Sequence, residues 1–462
     1  MSSFKSENLS NLKNKPAHKA MRSIAGRKIC ILGLGIENQA LVEFLVKKKV
    51  NCEITICDAR KEAKKDTKFS AGNLVLGRVN WRLGKNYDKN LKQFDIVFRV
   101  AGYPLFNLTP NPSPSKGEGS KASSPTKLFF DLCPTKNIIG VTGTKGKGTT
   151  SSLIYEILKQ AGKRVHFGGN IGTPMFSFLD KIKKNDWVVL ELSSFQLEDL
   201  HKSPQIAVIT NFTPEHLVAA DPVNPNFHRS IADYWKAKSN IFAHQKRPDK
   251  LVISYKLLVK KRKNIKTSGR IISFTKSDLP SKLVGEYNKE NIAAAVSVAK
   301  IAGVKDDIIR QAVKNFKGLP HRIEFVKKIK GISYYDNSFA TTPEATILDL
   351  KSFHEPIILL LGGADKGADF KELAKAVKGR AKFIVLLDGQ STPRIKKELL
   401  KVKFPKEQMK LVKSMKEAVK SAKKETVAGD IILLSTACAS FGMFKNYKER
   451  GEMFKAEVAK IS

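Results

Sequence analysis

Residues 136–163 read KNIIGVTGTKGKGTTSSLIYEILKQAGK, and this stretch decides the fold. An apolar strand, NIIGVT, runs into a glycine-rich loop and then into a helix whose apolar residues recur at helical spacing. Backbone N–H groups of such a loop can face a phosphate, and Lys147 adds a positive charge. Gly148 departs from the GxxxxGK[ST] template, so Thr149 or Thr150 would supply the hydroxyl for a magnesium ion. The order of parts predicts a phosphate-binding site in a parallel α/β sheet.

Strands alternate with helices on both sides of this segment. Towards the N-terminus, an apolar run leads to Gly33 and Gly35, then to an amphipathic helix and a second strand that ends in Asp58. This is a βαβ opening with a dinucleotide-type turn, although Asn38 stands at the third glycine position of GxGxxG. Towards the C-terminus, PIILLL and AKFIVLL are buried-type strands between helical patterns. We therefore expect an α/β protein with a Rossmann-like N-terminal domain, a central P-loop-type mononucleotide-binding domain and a Rossmann-like C-terminal domain.

The length of 462 residues agrees with about three domains. A stretch rich in Pro, Ser, Gly and Lys separates the first two, and the first residues are polar and basic, so that Met21 is an alternative translation start to Met1. The predicted boundaries are a disordered extension at 1–24, a first domain at 25–106, a flexible insertion or linker at 107–126, a central domain at 127–318 and a C-terminal domain at 319–462.

Composition excludes several classes of protein. Lys and Arg number 83 against 43 Asp and Glu, a formal net charge of +40, but the lysines recur along the whole chain without interleaved aromatic residues. This indicates a basic solvated surface that attracts anionic nucleotides, and no nucleic-acid interface. No apolar run approaches the ~18 residues of a membrane span, so no membrane insertion is expected. The five cysteines are irregularly spaced, which argues against disulfides and zinc and favours the cytoplasm.

Candidate ligands for a cation follow the strands of the central segment. Glu191 ends the run WVVLE, and Glu215 and His216 follow the run AVIT a few residues on. The carboxyl edge of a parallel sheet is where open α/β folds bind their ligands, and carboxylate oxygens suit magnesium. The following segment, DYWKAKSNIF, is predicted to be a helix that carries Lys236 and Lys238. Each of these side chains, taken alone, could equally serve a structural purpose.

Several motifs together resemble the Mur ligases of bacterial cell-wall synthesis. They are TGTKGKGTT (142–150), ELSSFQLE (191–198), NFTPEHL (211–217), YNKEN (287–291), GLPHR (318–322), DNSFATTPEAT (336–346), LLLGGADKGADF (359–370) and ACASFGMFKNYKERG (437–451). Within the family, the likeness is to the branch that adds glutamate to UDP-N-acetylmuramoyl-L-alanine. The first domain matches in layout only.

The resemblance implies an ATP-dependent amide-bond ligase. ATP would phosphorylate the carboxylate of UDP-N-acetylmuramoyl-L-alanine to an acyl phosphate, which the amine of D-glutamate would attack, in peptidoglycan precursor synthesis. It also implies ATP and two Mg²⁺ ions as cofactors, a carbamylated Lys238, and a cytoplasmic monomer. Hinges near residues 127 and 318 would allow the domains to close.

The resemblance also implies roles for individual residues. The catalytic group is Lys147, Glu191, His216 and Lys238. The metal ligands are Thr149, Glu191, His216 and carbamylated Lys238. ATP would contact Gly143, Thr144, Lys145, Gly146, Lys147, Gly148, Thr149, Thr150, Asn288, Asn291 and Arg322. The UDP-sugar would contact Gly35, Ile36, Glu37, Asp58, Ser193 and Gln196, and glutamate would contact Thr341, Thr342, Lys366, Ser440, Phe441 and Tyr447.

Four positions depart from the family pattern and keep alternatives open. Phe339 replaces a lysine beside the amino-acid pocket, which allows L-glutamate or another acidic amino acid as the substrate. Asn337 replaces an aspartate, Tyr287 a histidine, and Gly148 a hydroxyl residue, and the last suggests a decayed ligase that binds nucleotide without turnover. Folylpolyglutamate synthesis is disfavoured by the segment ACASFGMFKNY. A basic nucleic-acid-binding protein with a degenerate nucleotide fold is the alternative from a different class.

Overall fold

The computed structural model describes residues 21–65, 79–108, 121–219 and 225–461. This part of the chain is of mixed α/β type and contains three β-sheets. It divides into two compact units. The first contains Met1–Ser277 and Glu290–Ile309, and the second contains Asp278–Lys289 and Arg310–Ser462. Two helices, α7 (Glu286–Ile301) and α8 (Asp306–Asn315), contribute residues to both units.

The first sheet belongs to the first unit. Its strands are β1 (Lys28–Leu32), β2 (Glu53–Asp58), β3 (Val79–Leu83), β4 (Ile96–Arg99) and β5 (Lys121–Ser123), with helices α1 (Ile36–Lys47) and α2 (Pro125–Leu132). The strands are all parallel and lie in the order β3-β2-β1-β4-β5. The order reverses at β1, whose following turn is therefore at the position where Rossmann-like sheets bind ligands. The predicted Rossmann-like N-terminal domain is confirmed.

The structure differs from two predicted boundaries of this domain. Ile24, within the predicted disordered extension, is buried in the core at 1% exposure. Residues 121–126 do not form a linker, because Lys121–Ser123 pairs in parallel with β4 and the Ser124 hydroxyl caps the following helix. The strand KAS has no apolar pattern to reveal it, since it is held by backbone hydrogen bonds at a sheet edge. The rest of both segments, residues 1–20 and 109–120, lies outside the described residues.

The second sheet also belongs to the first unit. Its strands are β6 (Ile138–Thr142), β7 (Val165–Gly169), β8 (Trp187–Glu191), β9 (Ile206–Ile209), β10 (Lys250–Ser254) and β11 (Arg270–Phe274), with helices α3 (Lys147–Gln160), α4 (Ser194–Leu197), α5 (Ile231–Ala243) and α6 (Tyr255–Lys261). The strand order is β11-β10-β9-β6-β8-β7, and every pair is parallel. Strand β6 thus has β8 and β9 as neighbours, and the loops after these three strands leave the same edge of the sheet.

The third sheet forms the second unit. Its strands are β12 (Glu324–Ile329), β13 (Ile332–Asp336), β14 (Ile357–Leu361), β15 (Ala381–Leu387), β16 (Met409–Val412) and β17 (Ile431–Leu434), with helices α9 (Pro343–Leu350), α10 (Lys371–Arg380), α11 (Thr392–Lys401), α12 (Met415–Lys424) and α13 (Tyr447–Ala459). The order is β12-β13-β17-β14-β15-β16, and only the hairpin of β12 and β13 is antiparallel among the described strands. The predicted parallel α/β architecture therefore holds, with an antiparallel strand added at one edge.

Apolar side chains join the first two sheets into one core. Phe129 on α2 is fully buried and contacts the rings of Phe176 and Phe178 edge-on, at 6.4 and 5.9 Å between centroids. Phe176 in turn meets Phe44 on α1 at 5.2 Å. Helices α1 and α2, which belong to the first sheet, thereby pack against the segment that follows β7 of the second sheet. No helix among the described residues is both long enough and apolar enough to cross a membrane.

Removal of the Phe129 ring should destabilise the first unit. We expect Phe129→Ala to lower its free energy of unfolding by about 3–5 kcal/mol, because a large apolar side chain leaves a cavity in a packed core. The three tryptophans, Trp81, Trp187 and Trp235, all lie in this unit, so urea unfolding followed by tryptophan fluorescence reports on it. The matched control is Phe325→Ala in the second unit, whose side chain is 51% exposed and should leave that transition unchanged. Equal unfolding midpoints for Phe129→Ala and the unsubstituted chain would contradict the packing.

Candidate active site

The predicted phosphate loop connects β6 to α3 and approaches its neighbours closely at two glycines. Gly143 has φ +152°, and a Cβ atom there would lie 1.9 Å from Thr210 Oγ1. Gly146 has φ +81°, and a Cβ atom there would lie 2.1 Å from Asn291 Oδ1. Side chains are excluded at both positions by backbone conformation and by space. The Asn211 side chain fixes the loop, because its Oδ1 accepts the Lys145 N–H at 2.8 Å.

Two lysine amines meet at one carbonyl of this loop. Lys147 Nζ donates to the Gly143 oxygen at 3.0 Å, and Lys238 Nζ donates to the same oxygen at 2.8 Å. Lys238 projects from α5 and is only 1% exposed. Burial first, and the nearby charge of Lys147 second, hold the pKa of the Lys238 amine well below its usual range. The structure therefore brings together the phosphate-loop lysine and the lysine predicted to carry a carbamate.

Glu191 has the properties of a cation ligand. It ends β8 next to the loop, in register with Val141, and is 2% exposed. Its Oε1 accepts a hydrogen bond from Asn170 Nδ2 at 2.7 Å, whereas its Oε2 is buried without a hydrogen-bond partner among the described residues. A buried carboxylate oxygen without a donor fits a bound metal ion, because such oxygens are otherwise satisfied. Glu191 is thus a fitting magnesium ligand.

His216 lies in the loop after β9, with its backbone in the left-handed region at φ +61°. Its Nε2 is 3.7 Å from Glu215 Oε2, and Glu215 also pairs with Lys145 at 2.6 Å. Burial lowers the pKa of His216 against the opposing charge of Glu215, and the charges of Lys238 and Lys147 also lower it. A neutral imidazole is the form that binds a metal ion. The structure thus gathers His216, Lys238 and Lys147 at one electrostatically coupled edge of the second sheet.

A cavity of about 200 Å³ lies between the first and second sheets. Four of the six residues predicted to bind the UDP-sugar line it, namely Gly35, Ile36, Glu37 and Gln196. Burial raises the pKa of Glu37 to about 7, while its Oε2 accepts the N–H of Met175 at 3.2 Å.

The other two predicted residues do not line this cavity. The Asp58 carboxylate accepts the Leu34 N–H at 2.6 Å and pairs with Arg60 at 3.0 Å, so it braces the turn after β1. Ser193 caps the short helix α4, in a reciprocal pair of hydrogen bonds with Gln196.

The sequence reasoning missed Arg99 and Asn170, which also line the cavity. Arg99 ends β4, is 1% exposed, and lies 2.9 Å from Glu198 and 2.9 Å from the carbonyl of Phe195. Arg99 therefore ties the first sheet to helix α4 of the second through a buried ion pair. The available signal was a basic residue at the end of the apolar strand FDIVFR. A charged side chain in such a strand is seldom buried without a partner, so the sequence indicates an ion pair for Arg99.

The second unit carries the residues predicted to hold glutamate. Lys366 lies in the loop after β14, with Nζ 5.7 Å from the ring centroid of Phe441. Thr342 caps α9 through its hydroxyl, which accepts the Ala345 N–H at 3.4 Å. Thr341 is the neighbour of this cap, and Tyr447 opens α13. These side chains follow β13, β14 and β17, adjacent strands whose loops leave one edge of the sheet.

The run of small residues from Ser435 to Ser440 predicts a strand–helix junction with a helix N-terminus near Ser440, and this prediction is wrong. The segment after Ser440 forms turns, with Gly442 at φ +99°, and α13 begins only at Tyr447 under an Asn446 cap. Ser440 is held instead in a buried turn, where the adjacent Ala439 carbonyl accepts the N–H of Ala364 at 2.9 Å. The small residues at 437–440 let the loops after β14 and β17 approach each other closely. Their spacing along the chain did not reveal this contact. Asn288 and Arg322, predicted to bind ATP, also belong to the second unit, whereas Asn291 belongs to the first.

A methyl group at Gly146 should weaken nucleotide binding. Gly146→Ala would place a Cβ atom against the Asn291 side chain and strain a backbone at φ +81°, so the loop must open. We expect the affinity for ATP, measured by calorimetry, to fall at least about tenfold. Gly162→Ala is the control, because Gly162 has φ +71° but its Cβ would meet nothing within 4 Å. Similar ATP affinities for the two variants would count against the loop as the nucleotide site.

Comparisons with known proteins agree with this geometry. The family model for the Mur ligase middle domain matches residues 141–278, and the model for the Mur ligase, glutamate ligase domain matches residues 321–438. The chain is 36% identical over 475 residues to UDP-N-acetylmuramoylalanine--D-glutamate ligase of Clostridium tetani, covering 97% of this chain and 100% of that protein. The corresponding ligase of Acetivibrio thermocellus is 36% identical over 472 residues, covering 95% and 98%.

Solved structures share the fold. MurF ligase from Thermotoga maritima, in complex with ADP, superposes with a TM-score of 0.57 at 16% identity, covering 95% of this chain and 97% of that one. UDP-N-acetylmuramate-alanine ligase MurC from the same organism superposes with a TM-score of 0.55 at 17% identity, covering 94% and 99%. With near-full-length relatives above 30% identity, these matches establish that the chain belongs to the Mur ligase family.

Proposed function

We propose that this protein is an ATP-dependent ligase that joins D-glutamate to UDP-N-acetylmuramoyl-L-alanine in peptidoglycan precursor synthesis. The observation that carries the proposal is the meeting of Lys147 and Lys238 at the Gly143 carbonyl, beside Glu191. An identity of 36% over nearly the full length of two named D-glutamate ligases supports the choice of substrates.

The reaction has two covalent steps. A carboxylate oxygen of UDP-N-acetylmuramoyl-L-alanine attacks the γ-phosphorus of ATP, and the bond to the β,γ-bridging oxygen breaks, which yields an acyl phosphate and ADP. The amine of D-glutamate then attacks the acyl carbon, loses a proton, and expels phosphate as the amide forms. Phosphoryl transfer needs positioning and neutralisation of charge more than covalent help from the protein. Lys147 and the loop N–H groups would provide both at the phosphates.

Each sheet would hold one substrate. The cavity lined by Gly35, Glu37 and Gln196 would take the UDP-sugar, and Arg99 forms part of its wall. The phosphate loop would take ATP. Lys366, with Phe441 against it, would pair with a carboxylate of glutamate. Asn291, whose side chain lies against Gly146, would complete the nucleotide site within the first unit, and Asn288 and Arg322 are proposed as ATP contacts carried by the second unit.

Magnesium would be held by Glu191, His216, Thr149 and a carbamate on Lys238, and it supplies charge neutralisation at the transferring phosphate when bound. The carbamate forms when the neutral Lys238 amine adds to CO₂, with loss of one proton. This modification would replace a buried neutral amine by an anion. It would thereby place a negative charge beside the Lys147 amine, with which Lys238 shares one acceptor.

Phosphate release from ATP tests the proposed function. With UDP-N-acetylmuramoyl-L-alanine present, we expect release that depends on D-glutamate, and background rates with L-glutamate or with no amino acid. Release with L-glutamate but not with D-glutamate would support the ligase chemistry and would show that the amino-acid substrate is L-glutamate. No release in any mixture, from protein that binds ATP, would refute the proposal.

Loss of the Lys238 side chain should abolish turnover. We expect Lys238→Ala to reduce phosphate release by at least about a hundredfold, because a metal ligand is removed. Acetate or formate should restore part of the activity by entering the space left by the buried side chain. Lys236→Ala is the matched control, since Lys236 is an exposed lysine on the same helix and should retain full activity. An unrescued Lys238→Ala enzyme with normal turnover would exclude the carbamate.

A further inference from the structure

A buried carboxylate joins two loops of the second unit. Asp349 lies near the end of α9 and is 4% exposed. Its Oδ2 accepts one hydrogen bond from Asn337 Nδ2 at 2.5 Å and another from the Ser435 hydroxyl at 2.6 Å. Asn337 follows β13, Ser435 follows β17, and both are buried. A single oxygen atom of Asp349 therefore connects the ends of two neighbouring parallel strands to the helix.

Further hydrogen bonds complete this connection. The fully buried Thr346, three residues before Asp349 on α9, donates from its hydroxyl to the Ser435 carbonyl at 3.3 Å, and the two hydroxyl oxygens lie 2.8 Å apart. The Asn337 backbone N–H donates to the Leu434 carbonyl at 2.8 Å, which extends the pairing of β13 with β17. Loss of either donor to Asp349 would leave a buried acceptor unpaired, which is costly.

The amide of Asn337 suits the carboxylate of Asp349. Position 337 is the one at which the family pattern has an aspartate. An aspartate there would bring a second buried carboxylate against Asp349, and two carboxylates in contact cannot both ionise. Burial already raises the pKa of Asp349 to about 7, against the hydrogen bonds from Ser435 and Asn337, which lower it. The departure from the family pattern at Asn337 is thus matched by the acceptor at Asp349.

This connection closes the loop that carries two of the residues proposed to bind glutamate. Thr341 and Thr342 lie between Asn337 and α9, and the Thr342 hydroxyl caps that helix. Asn337 stands at the start of the loop and Asp349 on the helix that ends it, so their hydrogen bond holds the two ends together. The bond to Ser435 holds both ends against the loop after β17.

We propose that Asp349 is a positioning residue for the amino-acid site and that Asn337 is the donor which this role requires. The inference rests on the proposed function, in which glutamate contacts Thr341 and Thr342. Asp349 acts through the loop, because its bonded oxygen faces Asn337 and Ser435. The reacting amine must be held closely, since a misplacement of about 1 Å can cost a hundredfold in rate.

Exchange of the amide and the carboxylate tests the inference. We expect Asn337→Asp to raise the KM for D-glutamate at least about tenfold. It should also speed hydrogen–deuterium exchange, followed by mass spectrometry, in residues 337–342 and 435–440, because two carboxylates then meet. The double variant Asn337→Asp with Asp349→Asn again pairs one donor with one acceptor, and it should restore both readouts. Asn315→Asp is the matched control, because it makes the same change at an exposed position of the second unit and should alter neither readout.

The restored double variant separates positioning from general damage. Normal exchange in Asn337→Asp would overturn the inference, as would a double variant no better than Asn337→Asp. If Asn337→Asp does not fold, Ser435→Ala takes its place, since it removes only one donor to Asp349. We expect this variant to raise the KM for D-glutamate about threefold, and an unchanged KM would overturn the inference.

The exchange measurement needs no substrate, so it is independent of the proposed function. Absence of phosphate release with D-glutamate from the unsubstituted chain would refute the proposed function. Exchange in the same variants would then still decide whether the pair of Asn337 and Asp349 fixes the two loops.

Discussion

The carbonyl oxygen of Gly143 accepts hydrogen bonds from both Lys147 and Lys238, and the electrostatics of the site depend on this arrangement. Two amines that share one acceptor in a buried place repel one another, and the cost falls on Lys238, whose charged form is also desolvated. An edge built in this way favours anions. Phosphate groups, and a carbamate in place of the Lys238 amine, both provide negative charge at this edge.

The strand order of the second sheet makes this convergence possible. Strand β6 lies between β8 and β9 in a parallel arrangement, so three carboxyl ends meet side by side. The phosphate loop follows β6, Glu191 ends β8, and Asn211 lies just after β9. Close packing then excludes side chains at Gly143 and Gly146, which brings backbone N–H groups to the surface of the edge.

In the third sheet, loops also converge at the carboxyl ends of adjacent parallel strands, but they carry different side chains. Loops after β13, β14 and β17 leave one edge, and buried Arg450 connects two of them by donating to Ser338 and Cys438 carbonyls. Two of its three hydrogen bonds go to Ser338 and the third goes to the Cys438 carbonyl, so this guanidinium joins the two loops beyond the ends of their paired strands. The rings of Phe339 and Tyr447 and the guanidinium of Arg322 are arranged on that brace.

The sequence by itself determined the alternation of strands and helices, the three α/β sheets, the phosphate loop and the family, because these follow from local periodicity and contiguous motifs. It also placed Lys147, Glu191 and His216 at a common edge, since parallel strands share their carboxyl ends, whereas Lys238 came from the family resemblance. It could not reveal strand β5, whose residues carry no apolar pattern, or the six residues that separate Ser440 from the helix at Tyr447. Only the tertiary structure decided that Asp58 and Ser193 brace local turns, that Arg99 is buried against Glu198, and that Phe339 lies under Arg322. Each of these depends on which distant loops meet in space, and no local spacing encodes such a meeting.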